Sequence, residues 1–156
     1  FQLGTKYSEA MDCRFADEDG KLKPFFMGCY GIGISRTAAA AIEQGHDDSG
    51  MIWPLPIAPY HEMLIQKRAG DEAQEALAQE LHDQLQAQGI EVLWDDRKIG
   101  AGAKFKDAYL VGIPLRVVLG RDAGDRKVEC KPRTGGEVEV ISADDVLPRV
   151  QAAFDA

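Results

Sequence analysis

With 156 residues, 45% of them apolar and 28% charged, the chain has the composition of a soluble globular protein and room for one good core, or for one small domain with an appendage. No apolar run approaches the ~20 residues that cross a bilayer, so no membrane partner is expected. A net charge of −8 is awkward for a nucleic-acid binder, whose affinity comes mostly from phosphate contacts.

Residues 1–50 do not read as a complete domain. They offer a short strand, a polar hairpin around Asp17-Glu18-Asp19-Gly20, a strand from about Pro24 with Phe25 and Phe26 as strand-like residues, and an alanine-rich helix from Ser35 to Gln44 that Gly45 is placed to end. Too few apolar residues are present to close a core. The opening Phe1-Gln2-Leu3-Gly4-Thr5 has neither an initiator Met nor the basic-then-apolar order of a signal peptide, and reads as a cut through a longer protein. Prolines at 54, 56 and 59 make residues 51–60 an extended, stiff connector.

Residues 61–156 alternate strand and helix. Met63 to Gln66 reads as a buried strand. Asp71 with Gln74 forms a capping-box-like start to a helix whose stripe is Ala73, Leu77, Leu81 and Leu85, ended by Gly89. Ile90 to Trp94 is a second strand, Gly102 to Val111 a second helix and Leu115 to Leu119 a third strand. That order implies parallel pairing with right-handed crossovers. Val128 to Lys131 and Val138 to Ile141 pair as a hairpin across Thr134-Gly135-Gly136, and Ser142 opens a last helix burying Val146, Val150 and Phe154, with Pro148 tolerated near its start. The expected fold is α/β, a five-stranded mixed sheet with three helices.

The run Met27-Gly28-Cys29-Tyr30-Gly31-Ile32-Gly33-Ile34-Ser35-Arg36 joins an apolar segment to the alanine-rich helix. Glycines there let the backbone approach a flat ligand closely, and Arg36 near the helix start supplies a fork of donors suited to phosphate oxygens. It is not a dinucleotide loop, whose third glycine would stand at Arg36, nor a P-loop, which needs Lys where Ile34 sits. A plain structural turn is the simpler alternative.

Charge is unevenly spread. Residues 97–133 carry 10 basic and 4 acidic groups, a local +6, while residues 62–96 carry 2 and 9. Such a block is either a nucleic-acid footprint or a solvated face. Cys13, Cys29 and Cys130 are odd in number and without CxxC spacing, which points to a reducing, cytoplasmic setting rather than disulfides or zinc. His46, His61 and His82 lack metal-ligand spacing, so no metal site is expected and solvated or structural roles fit them better.

With Phe1-Gln2-Leu3-Gly4-Thr5-Lys6-Tyr7-Ser8 upstream, the Gly28 to Arg36 run resembles the third signature motif of class II aminoacyl-tRNA synthetases, in the wording of the bacterial-type prolyl-tRNA synthetases. The resemblance continues through Asp95-Asp96-Arg97, Lys104-Phe105-Lys106-Asp107-Ala108 and Gly112-Ile113-Pro114, and covers nearly the whole chain. It implies that residues 1–50 end a class II antiparallel catalytic domain and that residues 61–156 form an anticodon-binding domain. The parent would activate proline with ATP and Mg2+ and load tRNA(Pro), as a homodimer through a catalytic domain missing here. The fragment itself lacks the first two class II motifs and is expected to be inactive.

By the same resemblance Arg36 would bind the ATP phosphates and stabilise charge as the carboxylate attacks the α-phosphorus. Gln2 and Thr5 would contact ATP, Gly31 and Gly33 would leave room for ligand, and Cys29 with Gly31 would border the proline pocket. Phe105, position 109 and Arg116 would meet the anticodon, Arg116 taking a guanine edge bidentately, with Lys104 and Arg97 on phosphate. Position 109, often acidic in the family, is Tyr109 here; a tyrosine stacks or accepts one hydrogen bond, but cannot receive guanine's paired donors as a carboxylate does. Rival readings are a synthetase for threonine, glycine or histidine, and a non-catalytic anticodon-like RNA-binding or interaction module. The Cys29 to Gly33 wording disfavours the first, and Arg36 in a nucleotide motif disfavours the second.

Overall fold

Backbone contacts in the computed structural model, which describes residues 1–154, separate two units, Phe1–Ala38 and Ala39–Ala156. In the first, β1 (Gln2–Gly4) leads into the short helix α1 (Lys6–Ala10), which the sequence reading did not anticipate. β2 (Arg14–Ala16) and β3 (Leu22–Pro24) form the expected polar hairpin, with Asp17 N–H donating to the Lys21 carbonyl at 2.9 Å. β4 (Met27–Gly28) pairs antiparallel with β1, setting Gln2 opposite Gly28.

Phe25 and Phe26 lie between strands, not in one. The Phe25 carbonyl is taken at 2.6 Å by the buried Ser8 hydroxyl, which removes it from any ladder. No apolar side chain before Ala58 is buried among the described residues, in keeping with a segment that cannot close its own core. Helix α2 (Ile34–Gln44) starts in this unit and ends in the next.

The second unit opens with a tight hairpin, β5 (His46–Asp47) and β6 (Gly50–Met51), closed by Asp47 Oδ1 accepting from the backbone N–H of Ser49 and Gly50 at 2.8 and 3.1 Å. Neither strand was anticipated, because each is two residues long and shows no periodicity. The proline-rich stretch that follows is extended apart from one 3-10 turn at Leu55–Ile57.

β7 (Glu62–Gln66), β8 (Val92–Asp95), β9 (Leu115–Leu119), β10 (Lys127–Pro132) and β11 (Glu139–Ser142) then build one sheet in the order β11-β10-β9-β7-β8. β7 runs parallel to β8 and β9, while β10 is antiparallel to β9 and β11. All five residues of β7 are buried, as a central strand covered on both faces must be.

On one face α3 (Glu72–Ala87) and α5 (Val146–Phe154) pack Leu77, Leu81, Leu85, Val146 and Val150 against Leu64, Val117 and Val128. On the other, α4 (Ala101–Val111) packs Ala108 against Met63, Ile65 and Val118. Asp71 caps α3, its Oδ1 accepting from Gln74 N–H at 3.1 Å.

Two side chains depart from the expected stripes. Ala73 is exposed and Gln74 takes the buried place, because its amide oxygen accepts from the Arg68 N–H at 3.0 Å. Phe154 stays 44% exposed at the end of α5, meeting His61 edge-on with ring centroids 4.8 Å apart.

Candidate nucleic-acid interface

Beyond Val118, the sheet face under α4 turns polar. Side chains alternate along a strand, so Arg116 on β9 and Glu129 and Lys131 on β10 share this face, while Val117, Val128 and Cys130 point into the α3–α5 core. Arg116 and Lys131 are register partners.

Phe105 and Tyr109, one helical turn apart on α4, present their rings to these cations. The Arg116 guanidinium carbon lies 4.9 Å from the Phe105 centroid and 5.1 Å from that of Tyr109. Lys131 Nζ and Arg133 Cζ stand 5.8 and 5.1 Å from the Tyr109 centroid, and Lys67 Nζ, bonded to Glu129 at 2.6 Å, stands 6.0 Å from that of Phe105. Each such contact contributes about 0.5–2 kcal/mol, more as water is excluded. Lys131, foremost, holds the Tyr109 phenol below its ordinary pKa, against a smaller opposing effect of burial.

Part of the basic block is offset internally. Arg126 is shared by Glu80 and Asp144, and Arg133 by Asp47. Among the described residues Arg116 and Lys131 have no carboxylate partner, and Arg116 Nε is buried without a hydrogen bond. These two cations, backed by two aromatic rings, are what the cluster offers to an outside ligand.

One expected phosphate contact is corrected and a second is narrowed. Lys104 is fully buried; its ammonium donates to the carbonyls of Gln66 at 2.8 Å and Asp95 at 3.0 Å and lies 3.7 Å from Asp95 Oδ1, leaving no atom for a phosphate. It is a core strut that ties α4 to the ends of β7 and β8. Arg97 is half-exposed and grips Asp95 through two bonds of 2.9 and 2.8 Å and Asp107 through one of 2.7 Å, which leaves its Nη1 as the nitrogen open to a phosphate. Arg97 in turn holds the Asp95 carboxyl below its ordinary pKa.

Sequence reading passed over Lys67, Glu129, Lys131, Arg133 and Asp47. The signal for three of them was available: Glu129, Lys131 and Arg133 recur at every second position beside buried Val128 and Cys130. Asp47 and Lys67 carry no local signal, since only tertiary pairing brings them in.

In the first unit, the β1–β4 pair sets Gln2 opposite Gly28, and Cys29 N–H donates to the Phe1 carbonyl at 2.9 Å, so Gln2 and Cys29 are one position out of register and are not brought together. Thr5 caps α1 and accepts from Glu9 N–H at 2.9 Å. The Gly33 carbonyl accepts from both Thr37 N–H and its hydroxyl, opening α2, while Gly31 faces open space. The Arg36 side chain is exposed and makes no ion pair or hydrogen bond among the described residues. An unspent guanidinium at the start of α2, with its Cβ close to Gly33, suits a phosphate-bearing ligand. No group of three or more His, Cys, Asp or Glu side chains that could hold a metal ion lies among the described residues.

Residues 57–153 match the family described as anticodon binding domain, and the chain belongs to that family. It is similar to the proline–tRNA ligases of Trichlorobacter lovleyi (51% identity over 97% of this chain and 27% of the relative), Prochlorococcus marinus (54%, 92% and 24%) and Thermoanaerobacter pseudethanolicus (49%, 97% and 26%). The chain thus spans about a quarter of the length of these curated relatives. A crystal structure of prolyl-tRNA synthetase from Cryptosporidium parvum, complexed with L-proline and AMP, shares the fold, with a TM-score of 0.77 at 22% identity over 99% of this chain and 32% of that one.

Proposed function

We propose that this chain is the anticodon-reading part of a proline–tRNA ligase, an enzyme that attaches proline to tRNA(Pro) at the expense of ATP. The observation that carries this reading is the Arg116 guanidinium, unpaired by any carboxylate among the described residues and held against Phe105 and Tyr109. Aromatic faces stack unpaired anticodon bases for about 1–3 kcal/mol each. A guanidinium fixed between them can give paired hydrogen bonds to O6 and N7 of a guanine, and proline anticodons carry GG. Lys131 adds a phosphate-directed charge that carries no sequence information.

On the same reading residues 1–50 belong to the catalytic domain, 51–60 to a connector and 61–156 to the RNA-binding domain. Arg36 is the residue that would compensate ATP phosphate charge; Gln2, Thr5, Gly31 and Gly33 would border the nucleotide and Cys29 the proline pocket. What supports this is the exposed Arg36 side chain, which makes no ion pair or hydrogen bond among the described residues. The parent would act as a cytoplasmic homodimer; among the described residues no helix is long and apolar enough to cross a membrane. Titrating anticodon stem-loops with GG and with altered anticodons, at two salt concentrations, tests the RNA reading. Tighter binding of the GG loop, weakened by salt, is expected; binding indifferent to both would remove it.

A further inference from the structure

Arg133 gives all its polar edge inward. Nη1 and Nη2 donate to the two oxygens of Asp47 at 2.8 and 2.6 Å, Nη2 also to the Gly50 carbonyl at 3.2 Å, and Nε to the Met51 carbonyl at 3.0 Å. Its side chain is 5% exposed. Four of its five N–H groups are engaged in this way, which leaves a buried guanidinium almost nothing for a base or a phosphate. What remains is its flat face, and that lies 5.1 Å from the ring centroid of Tyr109.

The β5–β6 hairpin that supplies these acceptors is seated on the last turn of α4, the turn that carries Tyr109. Gly50, at φ +144°, approaches so closely that a side chain there would strike the Leu110 Cα and the Tyr109 carbonyl. Gly112, the left-handed end of α4 at φ +76°, abuts the Met51 carbonyl in the same way. Trp53 Nε1 closes the seat by donating to the Val111 carbonyl at 3.0 Å. Asp47 is fixed from its own side by the N–H groups of Ser49 and Gly50. Arg133, above all, holds its carboxyl far below the ordinary range, so it remains a charged, two-pronged acceptor.

Resting on the base-reading role of the Phe105–Tyr109–Arg116 face, we infer that the β5–β6 hairpin belongs to the reader, with Asp47 as the positioning residue that fixes Tyr109 through Arg133. Asp47 does two things at once. It locks the Arg133 plane beside the Tyr109 ring, and it cancels a positive charge that would otherwise pull on any phosphate regardless of sequence. Losing Asp47 would therefore cost discrimination while leaving or even raising indiscriminate affinity, the opposite of what partial unfolding does.

The test uses the whole 156-residue chain and stem-loop RNAs with GG or altered anticodons, titrated across salt concentrations, with Asp47→Asn, Tyr109→Ala and their combination. Asp47→Asn is expected to shrink the preference for GG about tenfold, the size of coupling found for residues in one network. It is also expected to steepen the salt dependence by about one counterion as Arg133 is released, and to shrink the preference no further once Tyr109 is alanine. Should Asp47→Asn melt too low to assay, Arg133→Lys, which keeps the charge but breaks the fork, is expected to lose the same preference. Unchanged preference and salt slope in the variant would overturn the positioning role, as would an equal loss in the Tyr109→Ala background. An unaltered chain that ignores the anticodon would instead sink the base-reading role on which this inference rests.

Discussion

Arg116 and Lys131 sit directly opposite each other on antiparallel neighbours β9 and β10, and both reach the ring of Tyr109, at 5.1 and 5.8 Å. Two like charges in register repel, and nothing on the described chain neutralises them; the aromatic ring between them is what makes the pairing tolerable. An acid at position 109 would form ion pairs with both cations. Tyrosine leaves them available. Arg116→Ala is therefore expected to relax the preference for a GG loop by roughly 1–3 kcal/mol, whereas Lys131→Ala should weaken all stem-loops alike and lower the salt slope by about one. Stem-loop titration at several salt concentrations checks both; a uniform loss for Arg116→Ala would place it on phosphate.

Lys104 makes an expectation of a different kind. Its ammonium is enclosed between two carbonyls beside Asp95, and removing one partner of a buried ionic cluster costs about 3 kcal/mol or more. Lys104→Ala should lower the urea midpoint by a margin of that order and leave RNA affinity per folded molecule unchanged. A variant of normal stability that binds RNA poorly would return Lys104 to the interface.

Lys104 also marks where sequence reading stops. The elements of the sheet were legible because their periods are long: Leu77, Leu81 and Leu85 repeat at helical spacing, and Leu115 to Leu119 is a strand within the expected bounds. Charge and the neighbouring Phe105 and Lys106 place Lys104 on phosphate in the sequence reading, although it faces the sheet. Phe105, Tyr109 and Arg116 could be nominated singly. Their convergence could not, since it depends on the β9–β10 register and on which flank of α4 lies over it. Asp47 was invisible for the same reason: it meets Arg133 only through a two-residue strand pair.

The hairpin has a consequence for where the RNA-binding unit can be cut. A chain starting at residue 51 keeps every strand of the large sheet but loses Asp47 and Gly50, and so the charged fork on Arg133. It should be less stable than a chain starting at residue 39 by roughly 1.5–3 kcal/mol, the range for hydrogen bonds to charged groups. Equal thermal midpoints for the two would show that the hairpin adds nothing to the fold.

Arg36 can be tested only in the full-length enzyme. Its exposed side chain has no partner among the described residues, and Arg36→Ala should cut ATP-dependent proline activation by roughly the 10²–10³ typical of losing one transition-state donor. Affinity for tRNA should hold, because the residue lies outside 57–153, the segment that matches the anticodon binding domain. Undiminished ATP–pyrophosphate exchange would remove the nucleotide role.

Glu62 gives the pH dependence of the fold. It is fully buried in β7, opposite Val92 and Leu115, and neither carboxyl oxygen has a hydrogen-bond partner. Burial alone pushes its pKa up to about 8 from an ordinary 4.5. In the folded chain the group keeps its proton up to that value, while the unfolded chain releases it from about 4.5 upward. Between the two the native state binds more protons, so stability from this site is greatest in acid, falls as pH rises through the window and is level above about 8. The slope is at most about 1.4 kcal/mol per pH unit for one proton. Glu62→Gln keeps the shape without the ionisation, and should flatten this part of the profile and stabilise the chain most at alkaline pH. Urea midpoints measured across that window for both proteins decide the matter, and parallel profiles would mean that Glu62 ionises freely in the folded state.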